Sequence, residues 1–291
     1  MSKERKFNEV SVILFLLFAF LDLLVWHEVL ASRDVKSPEL YFLDVGQGDA
    51  EFVRLPPNIK ILIDAGPNKK ILESLEKILG GDYYIDLAFI SHPQLDHFDG
   101  FNYLLKNYKF GAFLFDGRND SPGAGDWQTL LGMIKEMKTP LITLSASDSV
   151  IYGDNKVNIL SPTHDFIQSA ELNDAGLVEF LKTPAFNALF TADIGSNVEN
   201  YLTNNGFNLK ADILKVAHHG SRYSSSASFL ESVSPKVAVI EVGEGNNYGH
   251  PNQETLGRLN NVVGTTIFRT DRNGTVKLLA DSQKLYVFTE K

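Results

Sequence analysis

The sequence predicts an α+β fold, a pair of β-sheets covered by helices, preceded by one N-terminal hydrophobic helix. Three observations predict it. The chain has 291 residues and is 44% hydrophobic, which supports one large core. Apolar runs of strand length recur from Leu40 onward, separated by amphipathic stretches of helical period. The earliest runs are joined by turns such as GQG and PPN, which favours antiparallel pairing before helices intervene.

At the N-terminus, Lys3, Arg5 and Lys6 precede the apolar stretch Val10 to Trp26, interrupted by Ser11 and Asp22. That length is near the lower limit for spanning a bilayer, and a basic flank stays cytoplasmic, which sends the remainder of the chain outside. Val29, Leu30 and Ala31 before Ser32 also resemble a signal cleavage site. Residues 1–34 are therefore expected to be a membrane anchor or a signal segment. Residues 35–291 are expected to form one extracytoplasmic domain, tethered, or secreted if the segment is cleaved.

Within that domain, strands are expected at Leu40–Val45, Ala50–Leu55, Lys60–Ile63 and Leu87–Ile90, then at Ala112–Phe115, Leu141–Leu144, Leu177–Leu181, Asn187–Phe190, Ile213–Val216 and Val237–Val242. Helices are expected at Lys70–Leu79, Trp127–Met137, Phe229–Val233 and Gln253–Leu259, each with an apolar stripe opposite polar residues. The serines of SRYSSS read either as a substrate loop or as a cap on the helix at Phe229.

Composition excludes several kinds of chemistry. There is no cysteine, so disulfides, thiolate zinc sites and cysteine nucleophiles are ruled out. The net charge of -9 argues against a broad electropositive face for duplex nucleic acid, and an anionic substrate would need local cations or metal. Of seven histidines, five stand at strand exits: His92 and His97 after Ile90, His218 and His219 after Val216, His250 after Val242. Asp96 lies beside His97, and Asp193 follows Phe190. Imidazole and carboxylate together suit a divalent transition metal.

The stretch SHPQLDHFDG at 91–100 resembles the H-x-H-x-D-H signature of the metallo-β-lactamase superfamily. With LDVGQGDA at 43–50, IDAG at 63–66, TAD at 191–193, LKVAHHGSRYSSS at 214–226, YGHP at 248–251 and RTDRNGTV at 269–276, the ordered set resembles the hydrolase domain of ComEC-type competence proteins. That resemblance implies an αββα four-layer sandwich with a metal site at one edge, holding one or two divalent ions, zinc or manganese. It implies His92 and Gln94 for one ion, Asp96 with His97 for the other, Asp193 as a bridge and His250 as the closing ligand, with the His218–His219 pair as rival for that last role. One of His218 and His219 is then a proton donor beside the metal, and Asp96 belongs to the catalytic set. Ser221 and Arg222 are placed to hold phosphate oxygens. Gln47 and Asp49 stand in a turn that reads equally as a floor to the substrate site or as a plain hairpin, while Asp64, Gly66 and Asp271 brace loops.

The pattern is also broken. Gln94 stands where the superfamily usually has histidine, and the region of its middle histidine offers Asn173 and Asp174 instead, with His164 the only spare imidazole nearby. Two functions follow. One is a membrane-tethered, metal-dependent hydrolase of phosphodiesters, DNA included, working with a separately encoded membrane channel. The other is a binding or assembly module whose metal site has decayed. A bound divalent ion makes hydrolysis the natural reaction class of the first.

Overall fold

The computed structural model describes residues 2–31, 34–280 and 284–291. Helix α1 (Ser2–Ala31) contains the stretch Glu9–Trp26, long and apolar enough to cross a membrane by length and composition. The apolar side chains from Val10 to Trp26 do not enter the core: Phe15 is 73% exposed and Phe18 74%. Ser32, where the cleavage-site resemblance falls, lies outside the described residues.

The first sheet is entered through a meander, β1 (Glu39–Phe42), β2 (Glu51–Leu55) and β3 (Ile59–Ile63), paired antiparallel. It then continues in parallel through β4 (Tyr84–Ile90), β5 (Lys109–Phe115) and β6 (Leu141–Thr143). Helices α2 (Lys70–Leu79), α3 (Leu95–Leu104) and α4 (Ala124–Glu136) cover its outer face. The second sheet begins with antiparallel β7 (Ser149–Tyr152), β8 (Asn155–Ser161), β9 (Val178–Lys182) and β10 (Asn187–Phe190). It turns parallel at β11 (Ile213–Lys215), β12 (Val237–Ile240) and β13 (Thr266–Arg269). The short helix α5 (His164–Ile167) lies between β8 and β9; α6 (Ser196–Asn204), α7 (Ala227–Val233) and α8 (Gln253–Asn260) cover this sheet's outer face, and α9 (Thr270–Asn273) follows β13. Finally β14 (Val276–Ala280) and β15 (Leu285–Thr289) return to the first sheet beside β1.

This is the αββα sandwich, with three apolar layers. Strand alternation sends Val53, Leu55, Phe89 and Leu114 of one sheet against Leu181, Ala188, Ile213 and Val239 of the other. Intervening residues such as Leu62, Ala88 and Phe113 face α2, α3 and α4. The expected strands through Val237–Val242 are present with ends shifted by a few residues, but β7, β8, β13, β14 and β15 were not anticipated. Helix α3 was not anticipated either, because Asp96, His97, Asp99 and Asn102 interrupt its apolar stripe. Its buried face is Phe98, Phe101 and Leu104, completed by Gly100. A side chain at Gly100 would collide with the Ala65 carbonyl, so only glycine lets α3 approach the Asp64–Gly66 loop. There the Ala65 N–H donates to the His97 carbonyl at 2.7 Å, and the Gly100 N–H to that of Gly66 at 2.8 Å.

The SRYSSS segment precedes α7 as expected, with Ser226 at the cap position, but its hydroxyl makes no cap bond. The buried Glu199 carboxylate of α6 accepts the N–H groups of both Ser225 and Ser226, the latter at 2.8 Å. Glu199→Ala would strand both donors, and a loss of about 2 kcal/mol is expected in urea unfolding. An unchanged midpoint would show that water replaces the carboxylate at no cost.

Candidate metal centre

Four ligand atoms, one each from Asp96, His97, Asp193 and His219, lie within 4.8 Å of one another at the strand exits where the two sheets meet. Asp96 and His97 occupy the first turn of α3 after β4. Asp193 ends the turn after β10, and His219 sits in a 3-10 turn, Ala217–Gly220, after β11. His97 Nε2 is 3.4 Å from Asp193 Oδ2, and His219 Nε2 is 3.6 Å from the same oxygen and 3.4 Å from Asp96 Oδ2. His218 and His219 both take positive φ, 50° and 51°, a conformation costing side-chain-bearing residues about 1–3 kcal/mol each and found where a site demands it.

Each imidazole is oriented from behind. His97 Nδ1 donates to Asp64 Oδ2 at 2.8 Å, and His219 Nδ1 to the Glu241 carbonyl at 2.8 Å, which leaves both Nε2 atoms facing the group. Both Nε2 atoms are buried without a hydrogen-bond partner, as is Nε2 of His92. Buried polar atoms are normally satisfied, so this convergence of orphaned donors fits a cation, and a two-nitrogen, two-carboxylate set suits zinc or manganese.

Burial opposes protonation of His97, but the carboxylates of Asp193, Asp64 and Asp49 outweigh it and hold its pKa well above the usual imidazole value. Asp193 and Asp49 do the same for His219. Burial likewise opposes the charge on Asp193, and His219 and His97 reverse that, so its pKa falls well below the ordinary value. His92 goes the other way: burial, then the neighbouring His97 charge, pushes it down to about 4. The raised histidines stabilise the metal-free protein below their unfolded pKa, and that contribution fades as pH rises through their folded values. Metal binding must displace those protons. Calorimetric titration at neutral pH in buffers of different ionisation enthalpy is expected to show proton release; heats independent of buffer would contradict it.

The residues singled out in the sequence are distributed as follows. Asp96, His97 and Asp193 are brought together. Between the rival imidazoles, the structure places His219 in the group, 2% exposed, and leaves His218 at the rim, its side chain 32% exposed and its Nε2 3.6 Å from Asp193 Oδ2. His250 lies further out, its ring 5.7 Å from that of His218 and stacked on Tyr248. His92 stands beside the group, ring centroid 4.2 Å from that of His97. Gln94 is turned aside: its amide donates to Asn173 Oδ1 at 2.5 Å, and Asn173 Nδ2 lies 3.4 Å from His218 Nδ1. Arg222 is exposed, its guanidinium over the Tyr223 ring.

The three other residues expected at the substrate are placed as follows. Asp49 is fully buried behind the imidazoles, 3.2 Å from His219 Nδ1 and 3.6 Å from His97 Nδ1. It is driven inward because a side chain at Gly48 would strike the Asp96 carbonyl, so the turn packs directly under α3, where the Asp49 N–H donates to Asp96 O at 3.1 Å. Gln47 spends its carbonyl on the Gly243 N–H at 3.0 Å, tying two loops together. Ser221 is 3% exposed, its hydroxyl facing the Tyr223 N–H at 3.4 Å. Asp64, expected to brace a loop, does so through Ser91 N–H and Oγ, and also orients His97.

Residues 43–243 match the family model of the metallo-β-lactamase superfamily. The chain is 30% identical over 258 residues to "ComE operon protein 3" of Bacillus subtilis (strain 168), covering 82% of this chain and 32% of that protein. It is 34% identical over 119 residues to "Competence protein ComA" of Neisseria gonorrhoeae, covering 39% of this chain and 17% of that one. It thus spans about a third or less of the length of these relatives. Among solved structures, the metallo-β-lactamase fold protein YhfI from Bacillus subtilis superposes with a TM-score of 0.53 at 10% identity, covering 86% of this chain and 99% of that one.

Proposed function

This chain belongs to the metallo-β-lactamase superfamily, and we propose that it is a membrane-tethered, metal-dependent phosphodiesterase acting on substrates that include DNA strands. One observation carries the reading: Asp96, His97, Asp193 and His219 converge with buried, unpartnered imidazole nitrogens, next to a partly exposed third imidazole. When bound, a divalent ion supplies a pKa of water lowered from 15.7 toward roughly 7 and a positive charge for developing phosphoryl negative charge.

The chain's own residues divide the remaining work. Asn173 Nδ2 donates to His218 Nδ1, which leaves the His218 proton on Nε2, the nitrogen facing the centre. His218 is thereby set to protonate a leaving oxygen, with Gln94 holding Asn173 in register. Exposed Arg222 is available to phosphate oxygens. Helix α1 would act as the tether, residues 1–34 as anchor and 35–291 as the hydrolase unit. The similarity to a protein named "Competence protein ComA" supports a role in handling DNA, with DNA strands among the substrates.

A second reading, a binding or assembly module with a decayed centre, draws on Gln94 and Asn173 bonding to one another rather than facing the metal group. Elemental analysis of the purified chain, with cleavage of bis-p-nitrophenyl phosphate under added manganese or zinc, separates the two. Stoichiometric metal and turnover are expected; a chain with neither would select the binding module.

A further inference from the structure

Lys215 stands at the end of β11 in the same phase as Ile213, which faces the layer between the sheets, so a cation occupies a core position and is fully buried. Lysine is almost never buried unless paired. Its Nζ is ion-paired with Asp49, lies 3.7 Å from Asp193 Oδ1 and donates to the Ala192 carbonyl at 2.7 Å. Ala192 adopts a positive φ of 42°, rare for a residue with a β-carbon, and the same carbonyl accepts the His218 N–H at 3.0 Å. The chain thus bears local backbone strain at the residue that presents an oxygen to this ammonium.

Asp49 also belongs to a group of three buried carboxylates. Asp49, Glu51 and Glu241 are no more than 2% exposed, and each offers an oxygen within 4.8 Å of the others. An all-oxygen set of this kind suits a hard divalent ion such as manganese.

We infer that Lys215 is a resident cation of the centre: its ammonium, ion-paired with the Asp49 corner of the Asp49–Glu51–Glu241 cluster, excludes a metal ion from that cluster and pins Asp49 and Asp193 where they support His97, His219 and the metal group. The inference rests on the proposed metal reading of Asp96, His97, Asp193 and His219. Lys215 is a positioning residue; it touches no substrate.

The test counts ions rather than turnover. The full chain in detergent micelles, Lys215→Met and the double variant Lys215→Met/Asp49→Asn are dialysed against manganese alone, and bound manganese per chain is measured with melting in its presence and absence. Lys215→Met, similar in length and uncharged, is expected to bind one manganese more than the unmodified chain and to gain more in melting temperature on manganese addition. The double variant, lacking one ligand charge, is expected to return to the unmodified count. An equal count in Lys215→Met and the unmodified chain overturns the inference. If Lys215→Met folds only with manganese present, that is the same gain; if manganese fails to rescue it while the double variant folds, the cluster takes no ion and the inference falls. An unmodified chain that binds no manganese or zinc would strike the metal reading, and an ion taken up by Lys215→Met alone would still support Lys215 as the excluding cation.

Discussion

Asp96→Ala is expected to keep the fold while losing metal affinity by more than about a hundredfold, and phosphodiester turnover with it. Removing a group that merely orients a ligand costs about 10–100-fold, and Asp96 belongs to the proposed ligand group itself. The fold survives because the Asp96 side chain is 30% exposed, on the first turn of α3, and the helix is held by Phe98, Phe101 and Leu104 beneath it. His97→Ala makes the contrast. That side chain is fully buried against Asp64 and Asp49, so its loss leaves carboxylates without their partner and destabilises the protein as well as the centre. Elemental analysis, turnover and thermal melting on both variants check this. Metal retained in Asp96→Ala, or a melting loss equal to that of His97→Ala, would remove Asp96 from the ligand set.

Phe89→Ala is expected to cost about 3–5 kcal/mol, the range for truncating a large buried aromatic. Phe89 is fully buried in the layer between the sheets, on β4, which is flanked by parallel partners β3 and β5. In a domain of this size the melting temperature should fall by roughly 6–20 °C. The centre should loosen too, because the Phe89 carbonyl accepts the Asp64 N–H at 2.9 Å, and Asp64 orients His97. Urea unfolding and metal affinity measured together check both parts. A loss below about 1 kcal/mol would mean that the layer closes over the cavity.

Several buried residues behind the centre were missed in the sequence, although a signal existed. Glu51, Glu179, Lys215 and Glu241 all fall in the core-facing phase of their strands, two residues from Val53, Leu181 or Leu177, Ile213 and Val239. A charge in that phase near a strand end is unusual, because burying it unpaired is costly. Read alone, each resembles an ordinary polar residue at a strand terminus. Only packing of the two sheets shows that Asp49, Glu51, Glu241 and Lys215 share one buried space.

The burial of Asp49 has the same origin. The GQGD turn reads equally well as a hairpin or a site floor, and its burial depends on how closely α3 presses onto Gly48. The choice between His218 and His219 was also out of reach, since adjacent residues at positive φ point different ways only once the backbone is in place.

What the sequence by itself determined is the alternation of elements, the apolar N-terminal helix, and the delivery of histidines and acids to strand exits, because periods of 2 and 3.6 and the position of a polar residue after an apolar run are local properties. What the tertiary structure alone decided is which exits meet. Gln94 reaches Asn173 across 79 positions, and the Glu241 carboxylate reaches the Ala50 N–H across 191. Contacts of that span arise from the packing of one twisted sheet on another, and no local pattern encodes them.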